Sequence, residues 1–414
     1  MATGQDEVAV AETGQMTLRP DLAFFPLDDN LVVFSRTSQS LVGLNATAAL
    51  IVQKLREGVA AADLADTLSR ENGVAKDEAA GWAASTLEAL GSQGLLADGR
   101  TPFFPPESPE IADYIARSKA RMPPLEPFKP AAQVRYRLLG VDALIRYGHG
   151  AQRRMVDTVI GHLRTEDAVP PVLTIDIQSL SSDDGQHIAS NIYCNGEPEA
   201  SATRLSSLAP LVKGALWNAA VNAHDFLLDL HAGVVGKDGR CILLPAPAGS
   251  GKSSLTAALT HSGLGYYSDE VALIERGTFQ VSPVPLAVCV KSTAWNFMSR
   301  YYPELPELPI HRRDDGKLVR YVRPLAAQVQ KEPGRVSHIF FPRYSKDAST
   351  RLVALTRADA LARLMDQCLA LRLAMDPEGV KQLVGWIAGI DCYALPFSSL
   401  DEAVALVHRT AFQK

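Results

Sequence analysis

The sequence predicts a mixed α/β protein of the α+β kind, with a winged-helix-like N-terminal domain ahead of a larger domain organised on one glycine-rich loop. Three observations carry this. Leu243–Leu255, LLPAPAGSGKSSL, passes from an apolar run through small residues into a helix-compatible run. Residues 19–100 read as a hairpin followed by three helical patterns. Between the two parts, 101–130 is rich in proline (TPFFPPESPE, RMPPLEPFKP) and reads as a semi-rigid spacer around a short helix, Ile111–Arg121.

Taken in order, residues 1–18 are small and polar and are expected to form a disordered leader. In the 19–100 domain, Ala23–Leu27 and Leu31–Phe34 flank Asp28-Asp29-Asn30, a turn composition. Asn45 can cap a helix running to Glu57, and Gly58 ends it. Helices near Ala61–Arg70 and Lys76–Leu90 follow. They carry at least as many acidic as basic residues, which argues against DNA binding. The 131–414 domain opens with strands at Gln133–Leu139, Val172–Gln178 and Ile188–Cys194, with a polar turn at Ser179–Gln186. A helix over Leu208–Ala223 comes next, and one long helix is expected over Arg357–Met375, with Leu361, Leu364, Met365, Cys368 and Leu369 as its core face.

Composition narrows the function classes. The formal net charge of −5 lacks the basic excess of a general nucleic-acid binder. No run approaches the roughly 18 apolar residues of a membrane span, and the first residues do not read as a secretory signal. The five cysteines are scattered without a Cys-x-x-Cys pair and read as core residues in a reducing compartment, so a cytoplasmic protein is expected.

The glycine-rich loop points to chemistry. Strand, loop and helix N-terminus form a P-loop (Walker A) arrangement, in which Ala248, Gly249, Ser250, Gly251, Lys252, Ser253 and Ser254 would bind the phosphates of a nucleotide. Backbone N–H groups cradle phosphate, Lys252 reaches the β- and γ-phosphates, and the Ser253 hydroxyl is placed for Mg²⁺. Ala246 stands where the motif has its first glycine. Upstream, Leu228–Gly236 and Arg240–Leu244 flank Lys237-Asp238-Gly239, a hairpin signal. A turn centred on Asp238 sets His231 opposite Pro245, beside the loop. Downstream, Ser268-Asp269-Glu270 precedes an apolar strand, Val271–Ile274. Carboxylates there can hold Mg²⁺ and accept a hydroxyl proton. Lys291, Arg320 and Arg343 are further candidates to contact phosphate or substrate.

Two resemblances add to this. Leu44-Asn45-Ala46-Thr47-Ala48 and Gly94-Leu95-Leu96, within Leu22–Ala97, resemble the PqqD-like peptide-recognition domain, which implies binding of a peptide leader by strand addition. His231-Ala232-Gly233, the hairpin, Ala248–Ser254 and Ser268-Asp269-Glu270 resemble the HPr kinase/phosphorylase family, more closely its HPr-kinase-related branch. The likeness is good over Leu228–Ile274 and loose over the rest of 131–410. It implies ATP and Mg²⁺ as cofactors, His231 at the phosphates and one of the acidic pair as catalytic base. The family has two aspartates where this chain has Asp269 and Glu270, and Asp269 is preferred as base, with Glu270 as metal ligand or helper. The family's signature for phosphorolysis is not visible downstream. The expected function is ATP-dependent phosphoryl transfer to a hydroxyl, with Ser or Thr of a ribosomal peptide as acceptor. A small-molecule kinase and a non-catalytic nucleotide-binding module are the alternatives. Assembly as a homo-oligomer is implied by the family alone.

Overall fold

The computed structural model describes residues 17–97, 119–167, 169–180, 189–371 and 375–412. Most of the expected leader, the first part of the spacer with nearly all of its helix, and most of the turn Ser179–Gln186 lie outside them. The chain forms two compact units and is mixed α/β throughout.

Of the described residues, unit 1 comprises 17–97 together with Arg357–Ala362 and Met375–Ala388, two segments that the sequence reading gave to the C-terminal domain. Its sheet is antiparallel, in the order β1 (Leu22–Leu27), β2 (Asn30–Ser35), β3 (Ser40–Leu44). The first hairpin closes on Asp28 at positive φ, with Leu27 paired to Asn30. The chain had given no signal for β3. Asn45 caps α1 (Ala46–Arg56) by accepting from the Ala48 N–H at 2.9 Å. Helices α2 (Leu64–Asn72) and α3 (Lys76–Ser92) complete the unit, with Gly73 in the left-handed conformation that ends α2. Leu18, placed in the leader by sequence, bridges Leu96. The helix Pro377–Ala388 buries Val380, Leu383, Val384 and Ile387 and packs on β1 and β2.

In unit 2 a five-stranded sheet runs in chain order: β4 (Ala132–Leu138), β5 (Val141–Tyr147), β6 (Leu173–Leu180), β7 (Ala189–Cys194) and β8 (Glu197–Ala202). Helices α4 (Gly150–Ile160) and α5 (Leu205–Asn222) cover it through a core that includes Ile145, Ile175, Val156 and Leu216. The described end of the spacer is laid onto this sheet: Lys119 pairs with Glu199 at 2.7 Å and Pro123 accepts from the Tyr193 hydroxyl at 2.9 Å.

The second sheet of unit 2 has ten strands. They are β9 (Phe226–Leu230), β10 (Ala232–Lys237), β11 (Arg240–Pro245), β12 (Gly265–Ser268), β13 (Ala272–Glu275) and β14 (Gln280–Ser282), with four more from the C-terminal third. A separate three-stranded sheet holds β15 (Val288–Lys291), β16 (His311–Arg312) and β17 (Leu318–Val322). The remaining strands of the large sheet are β18 (Gly334–Tyr344), β19 (Val353–Ala354), β20 (Cys368–Leu371) and β21 (Asp391–Phe397). The path is β12-β10-β11-β18-β14-β13-β9-β20, with β21 parallel to β18. Strand β11 is buried from Cys241 to Pro245, as an apolar run in a covered sheet should be. The helix α6 (Lys252–His261) and the helix Leu400–Ala411 pack together over it.

One long helix over Arg357–Met375 does not form. Its first part ends at Met365, and Cys368–Leu371 is strand β20, paired with β9. The apolar spacing satisfied a helical period, but the edge of β9 offered backbone partners to the same residues.

Candidate functional site

The hairpin β10–β11 turns on Asp238 (φ 53°) and Gly239 (φ 73°), both positive as a two-residue primed turn requires. A two-residue loop has its symmetry point between residues, so the register is one step off the expected one: Ala232, not His231, faces Pro245. The expected strand Leu228–Gly236 is also two strands, and His231 is the residue between them. Its N–H donates to the Gln367 carbonyl at 2.8 Å, and its carbonyl accepts from the Ala246 N–H at 3.4 Å.

The acidic pair lies at the matching break on the neighbouring chain segment. Val234 pairs with Ser268 on one side of the gap and Leu230 with Ala272 on the other, in the same register. His231-Ala232-Gly233 therefore faces Asp269-Glu270-Val271 where the ladder is interrupted. Polar side chains can leave the sheet there without breaking a continuous run of pairing. Gly233 has a further reason to lack a side chain: an added Cβ would collide with Thr256 Oγ1 on α6 and stand 3.6 Å from Lys252 Cγ. The bare backbone lets α6, and with it Lys252, approach the sheet.

The loop after β11 enters α6 through Gly249 (φ 92°) and Gly251 (φ 87°), the latter as N-cap. Ala246 is not among the positive-φ residues, so nothing in its conformation calls for the glycine of the motif. The Ser250 carbonyl accepts from the Tyr344 N–H at 2.9 Å, tying the loop to β18.

Around this loop opens a cavity of about 700 Å³. His231, Ala248, Gly249, Gly251, Lys252, Ser253, Ser254, Asp269, Glu270 and Lys291 all line it. Ser250 does not; its hydroxyl turns back to the Pro247 carbonyl at 2.8 Å. Arg320 and Arg343 are not brought to the cavity either. The Arg320 guanidinium lies over the Trp295 ring, 4.3 Å from its centroid, and Arg343 is exposed on β18.

Electrostatics separates the neighbouring carboxylates. Lys252, only 6% exposed, donates to the Asp269 carbonyl at 2.7 Å. Asp269 is 4% exposed, and its Oδ1 has no hydrogen-bond partner. Burial raises its pKa above the ordinary aspartate value, with Lys252 pulling the other way. Glu270 is held down to about 2, chiefly by the ammonium of Lys213, 2.8 Å away. For Lys213 burial disfavours the charge, but Glu270 outweighs it and the net shift is upward. His231 is lowered to about 4 by burial and then by the Lys252 charge, so its imidazole is neutral at pH 7.

Sequence reasoning did not single out Lys213, and no local pattern could have flagged it, since it comes from the middle of α5 and reaches the site only through the tertiary fold. Arg313 and Lys317 do line the cavity, with Arg313 4.0 Å from Glu270. They belong to a basic run in the sequence, Arg312-Arg313, Lys317, Arg320 and Arg323, which does not say which of its members turn inward.

Among the described residues no group of three or more His, Cys, Asp and Glu is arranged to hold a metal by itself, and no helix is long and apolar enough to cross a membrane. Ser253, Asp269 and Glu270 offer only oxygen donors, and Asp269 Oδ1 is a buried oxygen without a partner. That set suits a hard cation whose other ligands come from phosphate.

The site is thus a glycine-rich loop at a helix N-terminus, with a buried lysine, an acidic pair and a neutral histidine around one cavity, and a helix N-terminus of this kind favours an anion. No family model and no curated protein matches the chain. Among solved structures, the Hpr(Ser) kinase/phosphatase from Coxiella burnetii is 14% identical over 44% of this chain and 94% of that one, with a TM-score of 0.21. A likeness of that size carries no argument, and the functional reading rests on the cavity.

Proposed function

We propose that the protein is an ATP-dependent kinase that transfers the γ-phosphoryl group to a hydroxyl. The observation that carries this is the pairing, in one cavity, of Lys252 on a phosphate loop with a buried carboxyl, Asp269, that has an unpartnered oxygen and a raised pKa. In water such a carboxyl would be a weak base; burial, which raises its pKa, makes it a better one. Backbone N–H groups at Gly249–Lys252 bind the phosphates, and Lys252 compensates charge gathering on the transferred group. Asp269 takes the acceptor proton while the acceptor oxygen bonds to the γ-phosphorus. The bond from that phosphorus to the β–γ bridging oxygen breaks, and ADP leaves. Neutral His231 can donate a hydrogen bond to a phosphate oxygen. Ser253 and Glu270 would hold Mg²⁺, which when bound neutralises phosphate charge.

The acceptor we favour is a Ser or Thr of a peptide, and one feature of unit 1 supports it. Strand β3 is an edge strand, and a groove of about 420 Å³ lies along it, lined by Val42, Leu44, Trp82, Thr86 and Leu90 among others. An extended peptide can add to such an edge. A small-molecule acceptor and a non-catalytic nucleotide-binding module are the competing readings.

The test is phosphoryl transfer from γ-labelled ATP by wild type and Asp269→Asn. The variant should lose roughly 10²–10⁴-fold in turnover while still binding ATP. Full turnover by Asp269→Asn would refute the base assignment, and no transfer by wild type to any hydroxyl acceptor would favour the module.

A further inference from the structure

Beyond the phosphate loop the cavity lining is of two kinds. Lys291, Arg313, Lys317 and Asp315 are charged, while Tyr344, Phe397, Leu400, Phe297 and Met298 make up an apolar lip. Tyr344 is 52% and Phe297 42% exposed, open enough for a flat ligand to cover.

The lip is fastened to the phosphate loop. The Tyr344 N–H donates to Ser250, and its ring stands edge-on to Phe397 with centroids 5.7 Å apart. A Cβ at Gly251 would lie 2.8 Å from Phe397 Cζ and 3.0 Å from Tyr344 Cβ. Arg300 and Asp401, 3.3 Å apart, link the Phe297 segment to the helix that starts at Leu400. A triphosphate on the loop thus has an aromatic surface beside it.

Among the described residues that line the cavity, the polar side chains nearest this lip in the chain are the hydroxyls of Ser398 and Thr293, and a hydroxyl donates or accepts equally well. Several local backbone groups are already bonded: the Ser398 and Ser399 N–H groups to Thr350 Oγ1, the Phe397 carbonyl to the Ser345 N–H and the Tyr344 N–H to Ser250. Adenine and guanine differ at the edge by an amino group against a carbonyl, and neither hydroxyl is committed to one of them. Their faces stack alike.

We propose that the aromatic lip holds the nucleotide base by stacking alone, so that the site accepts purine nucleoside triphosphates without distinguishing adenine from guanine. The proposal rests on the P-loop binding a triphosphate, as argued above. It is tested by calorimetric titration of the full chain with ATP, GTP and inorganic tripolyphosphate, each with Mg²⁺. ATP and GTP should bind within about fivefold of each other, and tripolyphosphate about tenfold more weakly. Tyr344→Ala keeps the Cβ that packs beside Gly251 and removes an exposed ring. It should weaken ATP and GTP toward the tripolyphosphate value and leave tripolyphosphate unchanged, and Phe297→Ala should act in the same direction. A preference beyond fivefold between the purines overturns the proposal, as does tripolyphosphate binding as tightly as ATP. Unchanged ATP affinity in both ring variants assigns the lip to the acceptor instead and overturns it equally. If wild type binds neither ATP nor tripolyphosphate, it is the nucleotide reading itself that fails.

Discussion

Each unit of the molecule has a hollow, and the two are built from opposite materials. The cavity of unit 2 gathers Lys252, Asp269, Glu270, Lys291 and Arg313, two of them almost fully buried. The groove of unit 1 is lined by Val42, Leu44, Asn45, Trp82, Thr86, Gln93 and similar residues, with no ionisable side chain among them. Burying a charge costs several kcal/mol unless it is paired, so a fold that keeps Lys252 and Asp269 under cover is arranged for something beyond stability. A neutral groove beside an edge strand can hold a ligand by backbone pairing and apolar contact, but has nothing to move a proton. On the function proposed above, one hollow serves chemistry and the other grip.

The largest expected effect is that of Lys252→Ala. It should remove ATP binding measured by calorimetry and lower turnover by about 10³-fold or more. Were it to change only the KM for a peptide acceptor, the cavity would be a second grip and the contrast would collapse. Next comes Gly251→Ala, at φ 87° and 2.8 Å from Phe397 Cζ for the added Cβ. Strain and overlap should lower stability by about 1–3 kcal/mol, read from urea unfolding, and weaken ATP binding as the loop shifts. Trp82→Ala in the groove should behave differently: KM for a peptide acceptor rises about fivefold to tenfold while kcat holds. A fall in kcat with unchanged KM would place chemistry in unit 1 and break the comparison from the other side.

The smallest effect concerns protons. His231 is depressed to about 4, so its imidazole signals in an NMR titration should stay flat from pH 8 to 5. In the unfolded chain it takes a proton near the ordinary 6.5. The stability linked to it is therefore complete above 6.5 and is lost as pH falls from there through 4. His231→Gln should remove that share of the acid loss, leaving the shares of His162, His311, His338 and His408, which burial lowers in the same way. An inflection for His231 near 6.5 would show that the ring is solvated and that Lys252 lies farther from it than this.

What could be read in advance follows how locally each feature is encoded. The loop Ala246–Ser254, the cap at Asn45 and the hairpin turn at Asp238-Gly239 are written in a few consecutive residues, and turn chemistry sufficed. His231 and the acidic pair were found by spacing along the chain. Their convergence depends on β9/β13 and β10/β12 sharing one register, which no local pattern states. Lys213 was invisible because it is one lysine on a helix, drawn in only when α5 meets the ladder break. Cys368–Leu371 misled for the opposite reason: a short apolar run satisfies both periods, and an available strand edge decides. The same limit applies to Arg320, whose basic neighbours gave no hint that Trp295 would claim it.

Unit 1 draws its core from stretches far apart in the chain, since Pro377–Ala388 supplies Val380, Leu383, Val384 and Ile387. On the ribosome the three-stranded sheet and its helices emerge some three hundred residues ahead of that cover, about 15–60 seconds at ordinary elongation rates. Through that interval the nascent sheet presents an uncovered greasy face, open to a chaperone or to the intervening chain.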